Sequence, residues 1–245
     1  GVSTHKTVQL PPTLYLGDKM TYKFKTTPMP HQLDEFEYSK DFTARGLWWD
    51  MGSGKSKAMV DNIAYLFGKD EADAAIIIAP GGVHLNWTED CGEIKCLWNT
   101  HTPDIVRVHS ECYTYNSGSG GKKWERKARS FLTSNKKKVL SLTYEGLSTK
   151  NGQKFVNYLL DTHRCIVVVD ECHKIKNPDA KRTKAVLNLA ERAKYRRVLT
   201  GTLIAQSMFD CFAPIKFLEP DYWDQHHIGK FYTFKHYFGE WKSFK

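Results

Sequence analysis

The sequence predicts an α/β protein built on a three-layer, doubly wound, mostly parallel sheet. Three observations point there. Short apolar runs recur along the chain, several of them continuous rather than alternating, as expected of strands covered on both faces. Longer amphipathic stretches separate them. A glycine-rich loop joins one such strand to one such helix, the position where open α/β sheets bind ligands.

The elements follow in order. Strands are expected at 46–49, 75–79, 105–108, 138–142, 165–169 and 197–200. Helices are expected at 31–39, 55–67, 83–94, 122–133, 153–160, 180–190 and 207–217. Residues 1–27, with Pro11-Pro12 and apolar Tyr22 and Phe24, read as an extended arm. The body spans 28–220, and residues 221–245 form an aromatic tail. Ser117-Gly118-Ser119-Gly120-Gly121 reads as a flexible surface loop.

Bulk properties narrow the class. The 245 residues are 41% hydrophobic and 13% aromatic, enough for a core. No apolar run reaches the roughly 18 residues that span a bilayer, and the longest, 74–79, is strand-sized. Lys and Arg number 36 against 27 Asp and Glu, a net charge of +9 that suits a polyanionic partner. Six scattered cysteines form a poor disulfide framework, which favours a reduced compartment. Cys91, Cys96, His109 and Cys112 lack paired zinc-ligand spacing, so no zinc is expected.

Asp50-Met51-Gly52-Ser53-Gly54-Lys55-Ser56 carries the first chemistry. Glycines let backbone N–H groups turn around phosphate oxygens, and the helix start adds partial positive charge. Met51, Gly52, Ser53 and Gly54 would form the cradle. Lys55 would reach the outer phosphates, and the Ser56 hydroxyl would hold Mg²⁺. The strict pattern has Gly where this chain has Trp49.

Ile166-Val167-Val168-Val169-Asp170-Glu171-Cys172-His173 carries the second. A buried strand delivers two carboxylates to its C-terminal edge. Asp170 would hold Mg²⁺, Glu171 would orient or deprotonate the attacking water, and His173 would couple this loop to a neighbour. ATP and Mg²⁺ are the expected cofactors.

With these residues in hand, the chain resembles the first RecA-like lobe of the Swi/Snf-type group of superfamily-two helicase-like ATPases, from about Pro28 to Pro220. Met29-Pro30-His31-Gln32 resembles the adenine-reading motif, which implies that Gln32 contacts adenine. Ile78-Ala79-Pro80 with Leu85-Asn86-Trp87 and Glu89 resembles motif Ia, and Thr143-Tyr144-Glu145 resembles motif Ib. Leu199-Thr200-Gly201-Thr202 resembles motif III, which implies a coupling role for Thr200, Gly201 and Thr202. Departures at Cys172, Leu203 and Gln206 suggest a divergent branch, of the kind found among viral and prophage members.

The resemblance implies a DNA-dependent ATPase that translocates on duplex DNA without reading sequence. It places Pro80, Gly81, Gly82, His84 and Thr143 toward the nucleic acid. Lys136-Lys137-Lys138 and Gly121-Lys122-Lys123 are further electrostatic candidates. Trp87 and Trp98 are candidates for base stacking, with packing favoured for Trp87. The resemblance also implies a second RecA-like lobe, for which the residues after Pro220 are too few. The chain therefore reads as a piece of a longer polypeptide, expected to bind ATP weakly and turn it over little alone. Its place would be the cytoplasm or nucleoid, or the nucleus of a eukaryote. Alternatives are a strand-separating helicase, a restriction-enzyme motor, a degenerate nucleotide sensor and a P-loop kinase. The carboxylate box together with Thr-Gly-Thr disfavours the last.

Overall fold

The computed structural model describes residues 22–116, 122–204 and 206–239. Pro11-Pro12 and the Ser117–Gly121 loop lie outside them, as do Trp241 and Phe244 of the tail. Among the described residues six strands form one all-parallel sheet: β1 (Ala44–Leu47), β2 (Ala74–Ala79), β3 (Ser110–Tyr115), β4 (Lys137–Thr143), β5 (Cys165–Asp170) and β6 (Tyr195–Leu199). Their spatial order is β1-β6-β5-β2-β4-β3.

The helices are α1 (Pro30–Ser39), α2 (Lys55–Gly68), α3 (Leu85–Thr88), α4 (Leu97–His101), α5 (Asp104–Arg107), α6 (Lys122–Thr133), α7 (Tyr144–Leu147), α8 (Lys150–Thr162), α9 (Lys181–Leu187), α10 (Phe212–Leu218), α11 (Tyr222–Gln225) and α12 (Phe231–Phe238). The continuous apolar runs have a simple cause. Ala74, Ile76 and Ile78 of β2 face one core, with Phe131 of α6, Leu159 of α8, Val186 of α9 and Phe217 of α10. Ala75, Ile77 and Ala79 face the other, with Ile63 and Phe67 of α2 and with Trp87 and Trp98. A strand buried on both sides has no polar face to show.

Several elements differ from expectation. The strand expected at 105–108 is the short helix α5, and the strand lies just after it, at Ser110–Tyr115. Ile105 and Val108 are exposed, and of the three apolar residues only Val106 packs on the core. Pro103 precedes α5, and Asp104 bonds Arg107 across the turn, features of a helix start. The helix expected at 83–94 is only α3, because Glu89 is extended and Gly92 has φ +58°. In the 207–217 segment a 3-10 turn at Met208–Cys211 precedes α10. Pro214 has no N–H to donate and is tolerated in the first turn of α10.

Trp87 and Trp98 are each 1% exposed, which removes both from base stacking. The Trp98 indole N–H donates to Ser110 Oγ at 2.9 Å. The lysine run at 136–138 opens β4, at the sheet edge opposite the strand ends that carry Asp170. Lys137 pairs with Asp70, and fully buried Lys138 pairs with Glu111 at 2.8 Å. These two lysines therefore hold the fold together and are not free to attract nucleic acid. In the tail, Phe234 of α12 is buried against Phe212, Trp223 and Ile228, while Tyr232 and Tyr237 face outward.

One buried cation fixes β1 against the sheet. Arg197 on β6 is 1% exposed. Its guanidinium donates to Asn62 Oδ1 on α2 (3.0 Å) and to the carbonyls of Phe42 (2.8 Å), Thr43 (3.3 Å) and Arg196 (3.0 Å). Burial pulls its pKa down to about 10, so the hydrogen bonds, rather than a carboxylate in contact, offset the cost of desolvation. Arg197→Met should cost about 3 kcal/mol, since it orphans buried acceptors. A urea midpoint unchanged from wild type would contradict this.

Candidate functional site

The strand ends on one edge of the sheet hold the candidate site. The chain leaves β1 at Leu47 and turns through residues 49–54 into α2. Gly52 and Gly54 both have φ +79°, a region closed to most side chains. At Gly54 a Cβ would also lie 2.2 Å from Gln32 Nε2. Lys55 folds under the loop, its ammonium donating to the carbonyls of Trp49 (2.8 Å) and Asp50 (2.9 Å). Ser56 follows in the first turn of α2.

Helix α1 supports this loop from outside. Gln32 is 2% exposed; its amide donates to the carbonyls of Ser53 (3.1 Å) and Gly54 (3.3 Å). His31 Nε2 lies 2.9 Å from the Ser53 carbonyl. Gln32 Oε1 accepts from Met29 N–H, which caps α1. The structure thus places Gln32 against the phosphate loop, with its amide committed there. Trp49, at the unusual position, stacks edge-on against His31 at 5.1 Å. Its carbonyl serves Lys55 while its ring packs on the core, so the loop uses only main chain at this position.

β5 delivers the carboxylates. Asp170 is 5% exposed. Its Oδ2 accepts from the Trp87 indole at 3.2 Å, and its Oδ1 accepts from Glu171 N–H at 3.0 Å. Burial pushes its carboxyl up to about 6; the Trp87 bond works against that rise, the Glu171 charge adds to it, and the Lys55 charge opposes it. Lys55 is therefore within electrostatic reach of Asp170. Tyr144 holds the same residue by its main chain, donating to the Asp170 carbonyl at 2.6 Å. Glu171 has φ +52°, a conformation that costs a non-glycine about 1 kcal/mol and that clusters at functional sites.

The third wall comes from β6, which lies between β1 and β5. His173 Nδ1 is 3.1 Å from Glu171 Oε2 and 3.3 Å from Thr200 Oγ1. Thr200 Oγ1 accepts from Thr202 N–H at 3.2 Å. A Cβ on Gly201 would stand 3.5 to 3.6 Å from Met51 and from the Trp49 carbonyl, so this segment lies against the phosphate loop. The structure therefore brings together Lys55, Asp170, Glu171, His173, Thr200, Gly201 and Thr202.

The residues expected to face nucleic acid sit beside this cluster, at the ends of β2 and β4. Gly81 and Gly82 are exposed, and Gly82 has φ +81°. Pro80 and Thr143 are half-buried, and Thr143 Oγ1 accepts from Gly146 N–H to cap α7. His84 differs from expectation: it is 5% exposed, with Nε2 3.2 Å from Asn116 Oδ1. Its ring ties the loop after β2 to the end of β3. Two contacts to Asp170, from Trp87 and Tyr144, were not legible in the sequence. The adjacency of β2 and β5 is the signal that would have placed Trp87 there.

A glycine-turned lysine loop facing a buried strand-end carboxylate, across an intervening strand that carries Thr200, defines a phosphate-loop nucleotide-binding lobe. Comparison with known proteins agrees. A family described as SNF2-related domain matches residues 43–239, and the chain belongs to that family. The Helicase-like transcription factor of Mus musculus is 32% identical over 146 residues, 60% of this chain and 13% of that protein. The DNA annealing helicase and endonuclease ZRANB3 of Bos taurus is 28% identical over 207 residues, 84% of this chain and 17% of that protein. A Sulfolobus solfataricus SWI2/SNF2 ATPase core, solved in complex with dsDNA, superposes with a TM-score of 0.61 at 23% identity. It covers 88% of this chain and 39% of its own. That likeness shows the RecA-like fold. The chain thus spans less than a fifth of these two curated relatives.

The raised Asp170 pKa carries a stability consequence. Between about pH 4 and pH 6 the folded, metal-free protein holds a proton that the unfolded chain releases. Stability is then lost as pH rises, by up to about 3 kcal/mol from this group. Measured in EDTA, Asp170→Asn should gain on wild type as pH rises from about 4 to about 6.5. A stability difference that does not change with pH would contradict the assignment.

Proposed function

We propose that the chain is the ATP-binding lobe of a DNA-dependent ATPase that moves on duplex DNA, working with a second RecA-like lobe of the same polypeptide. The convergence of Lys55 with the Asp170-Glu171 pair and Thr200 on one sheet edge carries the reading. Membership of the SNF2-related family supports it, as does the similar ATPase core solved with double-stranded DNA.

The residues present fit a magnesium nucleotide. Ser56 Oγ and the Asp170 carboxylate are hard oxygen donors, as Mg²⁺ prefers. Bound there, Mg²⁺ would neutralise charge on the outer phosphates. Backbone N–H groups of 52–55 would cradle the phosphates and the Lys55 ammonium would balance their charge. Gln32 would hold the loop in shape from beneath the adenine side. Glu171, oriented by His173, would position the attacking water and accept its proton. Thr200 bonds His173, Gly201 lies against the phosphate loop and Thr202 N–H holds the Thr200 hydroxyl, so the three would report the nucleotide's state to the rest of the lobe.

Duplex DNA would run across the Pro80–His84 and Thr143 loops. Exposed backbone N–H groups at Gly81 and Gly82 suit phosphate contacts, which position a strand without reading its sequence. The protein would act where DNA lies, in a nucleoid or a nucleus.

The test is steady-state ATP hydrolysis by the polypeptide that joins this lobe to its second lobe. Duplex DNA should stimulate it, and Lys55→Ala and Glu171→Gln should each lower it by roughly a hundredfold or more. Stimulation by single strands alone would mean a strand-separating helicase. Hydrolysis absent in every condition would leave a nucleotide-sensing module.

A further inference from the structure

We propose that Trp87 is a positioning residue for the metal carboxylate, the bond by which the loop after β2 sets the aim of Asp170; this rests on the ATPase reading above. The Trp87 indole is 1% exposed and donates its one N–H to Asp170 Oδ2 at 3.2 Å. A position that only packs needs no N–H donor, and this one aims its donor at a buried carboxylate. An indole N–H aimed at a buried carboxylate fixes the plane of that carboxylate as well.

The far end of the connection is the Pro80–His84 loop. His84 N–H donates to the Pro80 carbonyl at 3.1 Å, and Trp87 N–H to the His84 carbonyl at 3.4 Å, so the exposed Gly81-Gly82 turn runs straight into α3. Helix α3 has little freedom to slip. Thr88 Oγ1 lies 2.5 Å from Ser141 Oγ on β4 and 2.8 Å from Thr114 Oγ1 on β3. With Thr88 pinned at the far end of α3, a shift of the glycine turn is taken up between Pro80 and Trp87, the segment that carries the indole. Tyr144, following Thr143, grips the Asp170 main chain at the same time. The carboxylate is thus held by both loops proposed to meet DNA, through its side chain by one and its backbone by the other. Energetic coupling between two sites needs such a physical element, and it acts reciprocally.

The experiment uses this chain with β-(3-benzothienyl)alanine in place of Trp87, which keeps the ring shape and removes the N–H, alongside Trp87→Phe. Affinity for a fluorescent ATP analogue (mant-ATP) is titrated with Mg²⁺, with EDTA, and with Mg²⁺ plus a short duplex DNA. The variants should bind Mg²⁺–mant-ATP roughly tenfold more weakly, the effect of one hydrogen bond to a charged group. Binding in EDTA and the melting temperature of the benzothienyl variant should match wild type. The ratio of affinities with and without DNA should fall toward one. A benzothienyl variant that binds and couples as wild type overturns the inference and makes Trp87 a packing residue. Wild-type chain that binds Mg²⁺–mant-ATP with no response to DNA overturns the inference and leaves the nucleotide site standing. Wild-type chain that binds no Mg²⁺–mant-ATP overturns both.

Discussion

A carboxylate at the end of a strand buried on both faces is expensive to hold, and the architecture of this lobe is arranged around holding one. Every residue of β5 is buried, Asp170 included. Burial, with the neighbouring Glu171 charge, drives its carboxyl toward the neutral form. The surroundings oppose that drift with an indole N–H, a backbone N–H and the nearby Lys55 charge. Each opposing group arrives from a different connection: the loop after β2, the turn after β5 and the loop after β1. The sheet order makes this possible, because β2 and β6 flank β5 and β1 lies one strand further out. A metal cation bound at this carboxylate would complete the compensation, which ties the stability of the site to its chemistry.

The unusual residues of the chain fall where the reactive side chains of the site are not supplied. Trp49 lends its carbonyl to Lys55 and turns its ring onto His31 and the core. Cys172 is fully buried, its thiol pushed far up by burial, and serves as a small apolar side chain. Leu203 packs against the aromatic cluster around Phe212. Gln206 Oε1 accepts from Lys176 Nζ at 2.6 Å, which ties the segment after Thr202 to the segment after His173. These substitutions change packing around the site while leaving the reactive atoms in place.

Much of this was legible in the sequence. The runs at 74–79 and 165–170 announced strands because a doubly covered strand has no alternation to disguise it. The glycine loop and the acidic box announced themselves because phosphate chemistry admits few residue types at such spacing. What escaped shared a different origin. The short helix α5 hid behind an apolar pattern that packs against little. Lys137 and Lys138 looked like surface charge because their acidic partners, Asp70 and Glu111, lie 67 and 27 residues away in sequence. Gln32 was read by its motif, and its commitment to the loop carbonyls depends on how α1 leans on α2. Arg197 gave no sequence signal, since an arginine in a strand is ordinarily exposed. Lateral contacts between distant segments are set by strand order, which local pattern does not encode.

If the proposed function holds, the phosphate loop, the carboxylate pair and the Thr200 segment respond to nucleotide as one site. Amide hydrogen exchange of this chain, with and without Mg²⁺–ATP, tests it most directly. Exchange should slow in three separate stretches together: residues 52–57, 170–173 and 200–202. Protection confined to the phosphate loop, or absent from all three at saturating nucleotide, would contradict it.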